Sequence, residues 1–326
     1  MEAELIRRTG LPFRAIPAAG VHGVGLRTLP GNLVKLLRGY FASRKILREF
    51  TPDVILFTGG FVSIPMALAA NKVPSLLYIP DIEPGLALKT LSKYADTIAI
   101  TTDATRRYYP TNTSKLILTG YPTRASFAGW TREKARHRLK LASDQPVFLA
   151  LGGSKGARSI NRAILQVLDQ LLKVTQVIHI SGQLDWEEVS LARAGLPQTL
   201  RSHYRAFAYL HEDMGAALAA ADLVLSRAGA STLGEYPLFG LPAILVPYPH
   251  AWRYQKVNAD YLVEKGAAFL LEDEKLPSEL LATVMDLLFN QRKLHHMASA
   301  MKKVFIPGAA QAIGRLLSDL AKKGAG

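Results

Sequence analysis

Short β-rich apolar runs alternate with helical patterns along nearly the whole chain, and this alternation constrains the fold more than any other feature. The pattern predicts strands over 54–57, 76–79, 97–101, 116–119, 147–151, 177–181, 223–226, 243–246 and 268–271. Helical spacing fills most of the gaps, for example over 158–172 and 255–265. Strands that are apolar throughout, separated by helices and not by two-residue turns, belong to parallel sheets covered on both faces. The class is therefore α/β. A length of 326 residues suggests two domains, each with its own core. A hinge is expected at Tyr121-Pro122-Thr123-Arg124, and Pro307-Gly308 sets off an amphipathic tail over 310–322.

Composition removes several classes. Hydrophobic residues at 49% with 20% charged residues describe a globular chain, not a disordered one. No apolar stretch approaches the roughly 20 residues of a spanning helix. Met1 is followed by Glu2 and Glu4, which is not the cationic opening of a signal peptide. With no cysteine, disulfides, a thiol nucleophile and Cys-ligated zinc are all excluded.

The net charge of +14 asks for an anionic partner. Arg27, Lys35, Arg38, Arg44, Lys45 and Arg48 fall within 27–48 without one acid, and Leu33, Leu36, Leu37, Tyr40 and Phe41 follow helical spacing among them. Such a helix suits an anionic membrane surface, and it equally suits ordinary core packing with a solvated basic side. Nucleic acid is disfavoured, because the bases are not interleaved with aromatics and no recognition motif is present.

Chemistry concentrates at strand-to-helix turns. In 223–250 an apolar strand ends at Ser226-Arg227 and turns through Ala228-Gly229-Ala230-Ser231-Thr232 into a helix expected to carry Glu235 one turn inside. Small residues leave helix-start N–H groups open to an anion, and a carboxylate at Glu235 could accept both hydroxyls of a ribose. A second such elbow, Gly152-Gly153-Ser154-Lys155-Gly156, follows the strand at 147–151. It has neither Walker A spacing nor the acidic residue of a dinucleotide fingerprint. Glycine-rich elbows also serve plain packing, but two in one half favour a nucleoside diphosphate.

Gln255 and Asn258, three apart on one helix face, could hold sugar hydroxyls or simply face solvent. Asp81 and Glu83, set between Pro80 and Pro84, are candidate general bases. No third ligand accompanies them, and the histidines lack metal-binding spacing, so no metal and no cofactor are expected.

GGSKGARSIN, SRAGASTLGE and GLPAILVPYPH, in this order, closely resemble the MurG family of N-acetylglucosaminyltransferases, in glycosyltransferase family 28. The segments MEAELIRRTGLPFRAIPAAGVHG, PDVILFTGGFVSIP and GYPTR extend the resemblance over almost the whole chain. It implies the GT-B fold, two Rossmann-like domains facing across a cleft. The acceptor-side domain would span 1–124, with the tail 308–326 packing back on it, and the donor domain 125–307.

The implied reaction is inverting transfer of GlcNAc from UDP-GlcNAc to undecaprenyl-pyrophosphoryl-MurNAc-pentapeptide (lipid I to lipid II), at the cytoplasmic face of the membrane. The resemblance puts Arg124, Gly153 and Ser154 near the diphosphate and the Leu210 backbone near uracil. It puts Ala230, Ser231 and Thr232 on phosphates, Glu235 on the ribose, and Gln255 and Asn258 on the sugar.

Two departures stand out. The family's opening GGTGGH-like loop has no counterpart in this sequence, which implies a first sheet with an exposed apolar edge. The family's HEQN stretch is replaced by Tyr78-Ile79-Pro80-Asp81, with Asp81 where the Asn would stand. A sugar-nucleotide-binding subunit completed by a partner chain, and a transferase acting on diacylglycerol, are the competing expectations.

Overall fold

The structure, a computed structural model, describes residues 6–7, 9–20, 25, 27–70, 72–111, 113–153, 156–249 and 253–324. Two sheets organise it, and both are parallel. Ile55–Phe57 (β1), Ser75–Ile79 (β2), Thr97–Ile100 (β3) and Leu116–Leu118 (β4) pair in sequential order. Val147–Leu151 (β5), Gln176–Ile180 (β6), Tyr204–Phe207 (β7), Leu223–Ser226 (β8), Ala243–Leu245 (β9) and Ala268–Leu270 (β10) pair in the order β10-β9-β8-β5-β6-β7. That second order is the doubly wound dinucleotide-fold arrangement, whose direction reverses between β5 and β8.

The apolar runs locate every strand but β7. Tyr204-Arg205-Ala206-Phe207 is short and interrupted by a charge, so only its register on β6, from Val177↔Tyr204 to Ile180↔Phe207, defines it. Arg205 is accommodated at the edge because its guanidinium donates to the carbonyls of Leu139, Ser202 and Lys140.

Each sheet is covered on both faces, as period-two side-chain alternation requires. On β2, Leu77 and Ile79 pack with Leu88, Leu91 and Ile98, while Leu76 and Tyr78 point the other way. That second face is closed by Ile313, Leu316, Leu317 and Leu320 of the C-terminal helix Ala309–Gly324. In the second sheet, Ile160, Ile164, Leu168 and Leu171 recur at helical spacing along Arg158–Leu172 and bury against Phe148, Ala150, Val177 and Leu225. β1 lies at an edge of its sheet, with Leu56 41% exposed.

The basic segment forms the helix Leu29–Phe50. Leu33, Leu37 and Phe41, four residues apart, are 58%, 59% and 60% exposed and form one outward stripe. Leu36 and Tyr40 are half-buried on the inward side, so the expected apolar face divides into a packed half and an open half. Among the described residues, no helix is long and apolar enough to cross a membrane.

Candidate active site

The two glycine elbows leave neighbouring strands. Leu151 pairs with Ser226, so the turns after β5 and β8 emerge side by side where the strand order reverses. In open α/β sheets the crevice at that point is the ligand seat. Gly153 and Gly156 adopt φ of +80° and +84°. A Cβ on Gly156 would sit 2.2 Å from the Ser181 carbonyl oxygen, and one on Gly152 would sit 2.1 Å from the Ala157 nitrogen. Only glycine allows this elbow to close onto the start of the 15-residue helix Arg158–Leu172, whose first N–H groups and dipole favour an anion. Ser154, expected on the diphosphate, lies outside the described residues.

The second elbow differs from expectation. Ala230–Leu233 is a 3-10 turn, Gly234 interrupts it, and the helix Glu235–Phe239 has five residues. Glu235 therefore opens a short helix and does not sit one turn inside a long one. The cause is packing. A Cβ on Gly234 would fall 2.4 Å from that of Tyr121, so the 119–124 segment crosses directly over the turn. Thr232 is buried, and its hydroxyl donates to the Gly229 carbonyl at 2.7 Å. Ala230 and Ser231 are half-exposed on the outer side of the turn.

The crossing brings Arg124 close enough to Glu235 to act on its charge. Burial pushes the Glu235 carboxyl above its ordinary value, while Arg124 and a hydrogen bond with Ser231 pull it down. Arg124 also lies over the Phe127 ring at 5.3 Å. Burial likewise raises the Tyr121 hydroxyl to about 12, with Glu235 and Asp81 adding to the effect. Leu210 is buried in the core of the second sheet.

A group that the sequence reading passed over ties the elbows together. Arg227, next after β8, ion-pairs with Asp273, donates to Ser159 Oγ at 2.7 Å and to the Val246 carbonyl at 3.2 Å, and lies over the Tyr248 ring at 5.2 Å. Ser159 Oγ in turn donates to Asp273 at 2.7 Å. A cleft of about 620 Å³ opens here, lined by Gly152, Gly156, Arg158, Arg227, Tyr248 and Gln255 among others. Gln255 Oε1 accepts from the Tyr248 N–H at 2.9 Å. A larger cleft of about 910 Å³ lies near Ala221, Asp222 and Pro242, at the opposite, N-terminal ends of β8 and β9.

The two carboxylates that follow β2 separate into two roles. Glu83 is buried and takes both arms of the Arg253 guanidinium, at 2.7 and 2.8 Å. Both its oxygens are engaged in that bidentate pair, so it is an anchor and not a free base. Asp81 Oδ1 accepts from Asn258 Nδ2 at 2.8 Å, and burial pushes the Asp81 carboxyl up from its ordinary value against that hydrogen bond. Asn258 is fully buried. Its amide also donates to the Ala228 carbonyl and accepts from the Ile82 N–H, so its polar atoms are engaged by the loop and the second elbow. Among the described residues, no group of three or more His, Asp or Glu side chains could hold a metal ion.

Comparison with known proteins agrees with this geometry. The glycosyltransferase family 28 N-terminal domain matches residues 1–100, and the family's C-terminal domain matches residues 147–313. The chain is 38% identical to a UDP-N-acetylglucosamine--N-acetylmuramyl-(pentapeptide) pyrophosphoryl-undecaprenol N-acetylglucosamine transferase of Roseiflexus sp. (strain RS-1), over 98% of this chain and 81% of that protein. It is 39% identical to the enzyme of the same name from Desulforudis audaxviator, over 99% and 88%. The crystal structure of Acinetobacter baumannii MurG superposes with a TM-score of 0.74 at 26% identity, over 98% of this chain and 88% of that one. A UDP-GlcNAc 2-epimerase from Neisseria meningitidis, bound to UDP-GlcNAc, shares the fold with a TM-score of 0.63 at 13% identity, over 87% and 81%.

Proposed function

The chain belongs to glycosyltransferase family 28, and from that membership we propose how its residues carry GlcNAc from UDP-GlcNAc to a lipid-linked acceptor. The reaction is that of the family's peptidoglycan enzymes. The MurNAc 4-hydroxyl of undecaprenyl-pyrophosphoryl-MurNAc-pentapeptide attacks C1 of GlcNAc. The bond from C1 to the diphosphate oxygen breaks, and UDP departs with the electron pair. One in-line displacement inverts the anomeric centre. The observation that carries this reading is the emergence of two glycine elbows side by side at the strand-order reversal between β5 and β8.

Residues 1–124 with the tail 308–326 form the acceptor-side half in this reading, and 125–307 the donor half. Main-chain N–H groups of the elbows and the Arg124 guanidinium stabilise the negative charge that grows on the departing diphosphate. Glu235 accepts the ribose hydroxyls, Gln255 meets the sugar, and Asp81 takes the acceptor proton. Activity is tested by incubating the protein with UDP-GlcNAc and lipid I and measuring UDP release with disaccharide formation. UDP release without dependence on the acceptor would overturn the assignment.

Glu235→Ala is expected to weaken UDP-GlcNAc binding by about 1–3 kcal/mol, the cost of losing a charged hydrogen-bond acceptor in a half-buried site. Unchanged affinity by calorimetry would remove its ribose role.

The outward stripe Leu33, Leu37 and Phe41, rimmed by the exposed Lys35, Arg38, Arg44 and Lys45, suits shallow insertion into an anionic membrane surface at the acceptor's location. Serine at all three apolar positions is expected to abolish co-sedimentation with phosphatidylglycerol vesicles and to leave UDP affinity unchanged. If the native chain itself stays in the supernatant at low salt, the membrane role is wrong.

A further inference from the structure

The loop over 80–85 leaves β2 of the first sheet, yet its side chains are built into the other half. Ile82 is fully buried, and its neighbours belong to the core cluster of the second sheet, which includes Ala228, Leu233 and Ala259. Its N–H donates to Asn258 Oδ1 at 3.2 Å. Asn258 Nδ2 holds Asp81 Oδ1 at 2.8 Å and the Ala228 carbonyl at 3.2 Å, so one amide joins the loop, the second elbow and the helix Tyr254–Glu264. Glu83 closes the attachment through its bidentate pair with Arg253. Pro80 and Pro84 restrict the backbone on either side.

Stability alone is a poor explanation for this pairing. Glu83 is buried and loses its hydration, while the Arg253 side chain is 69% exposed and its charge is screened by solvent, so the pair adds little net stability. What a planar, bidentate pair adds is orientation. Asp81 stands two residues away in the same loop, held at its own carboxylate by Asn258.

We propose that Arg253 and Asn258 are positioning residues that hold the Asp81 carboxylate in the frame of the donor-binding half. The base and the donor sugar then keep one mutual geometry, while the acceptor is presented from the first sheet. The proposal rests on the transferase reading above and adds which half carries the proton acceptor.

Arg253→Met and Arg253→Lys separate positioning from a merely structural role. Loss of the fork is expected to lower kcat about 10- to 100-fold, as small displacements of a catalytic group do. The donor KM should stay unchanged. Lys, which keeps the charge but not the two parallel donors, should restore only part of kcat. Wild-type kcat in Arg253→Met, or a rise in donor KM that accounts for the whole loss, would overturn the proposal.

Amide hydrogen exchange provides a readout that does not depend on activity. The Ile82 N–H of the native protein should exchange slowly, and Arg253→Met should speed it without altering β5. Rapid exchange at Ile82 in the native protein would show that the loop is not anchored, whatever Arg253→Met does. Absence of GlcNAc transfer by the native protein, with Ile82 still protected, would instead count against the transferase reading and leave the anchoring intact.

Discussion

Asp81→Asn is expected to lower kcat about 10²- to 10⁴-fold, the usual contribution of a positioned general base, with UDP-GlcNAc affinity unchanged. The substitution isolates proton acceptance from architecture. An asparagine Oδ1 can still accept the 2.8 Å hydrogen bond from Asn258 Nδ2, so the loop should keep its place. Only the ability to take a proton is lost. Burial pushes the Asp81 carboxyl up from its ordinary value, which brings its basicity closer to what removing a hydroxyl proton demands. It also sets the pH dependence. The acid limb of kcat/KM should fall where the free enzyme's Asp81 becomes protonated, above the ordinary aspartate range, and should be missing from the residual activity of Asp81→Asn. Near-native turnover of Asp81→Asn would place the proton acceptor elsewhere in the cleft.

The parallel α/β architecture was legible because its signal is local: apolar strands, helical spacing between them and glycines at the elbows all sit within short windows. The glycine elbow after β5 was legible for the same reason, since Gly152, Gly153 and Gly156 are demanded by backbone positions a few residues apart. What escaped depends on contacts distant in sequence. β7 exists through its register on β6, and Arg205 disguises it. Glu83 and Asn258 look like polar groups free to meet a ligand until the loop at 80–85 is seen against the helix at 254–264. Leu36 and Leu37 are equally apolar, and only packing decides which one faces out. The role of Arg227 had a local cue in its place at the strand end, but its partners Ser159 and Asp273 lie 68 and 46 residues away.

His179 leads to the second large effect, a loss of stability as pH falls from 6.5 toward 4. The side chain lies in β6 with no exposed surface. Its Nδ1 is 2.7 Å from the Tyr204 hydroxyl, and its Nε2 is 3.0 Å from Asn161 Oδ1. Asn161 Nδ2 donates to the Ser181 carbonyl and to Asp185, so its Oδ1 must accept. The neutral ring with hydrogen on Nε2 therefore satisfies every partner, with Nδ1 accepting from tyrosine. A second proton would face that hydroxyl and place a charge in the core.

Burial accordingly lowers the His179 pKa from 6.5 to about 4, against a small opposing effect of Asp185. Between these values the unfolded chain holds a proton that the folded chain does not, so stability drops as pH falls and levels off below about 4. The gap corresponds to about 3 kcal/mol. Denaturant titrations at a series of pH values should show this slope in the native protein. His179→Gln should be less stable at neutral pH, with a flatter dependence below 6.5, and equal slopes in the two proteins would exclude His179 as the source.

The same polar chain continues from Asp185 to Arg158, which lines the cleft of about 620 Å³ at the start of the helix after the first elbow. In the folded protein His179 gains its proton only near pH 4, so UDP binding should hold while stability falls from 6.5 and weaken as the pH approaches about 4, where the charge disturbs Asn161 and Asp185. Binding that stays constant through pH 4 in the folded protein would mean that the elbow does not depend on the neutral His179 ring.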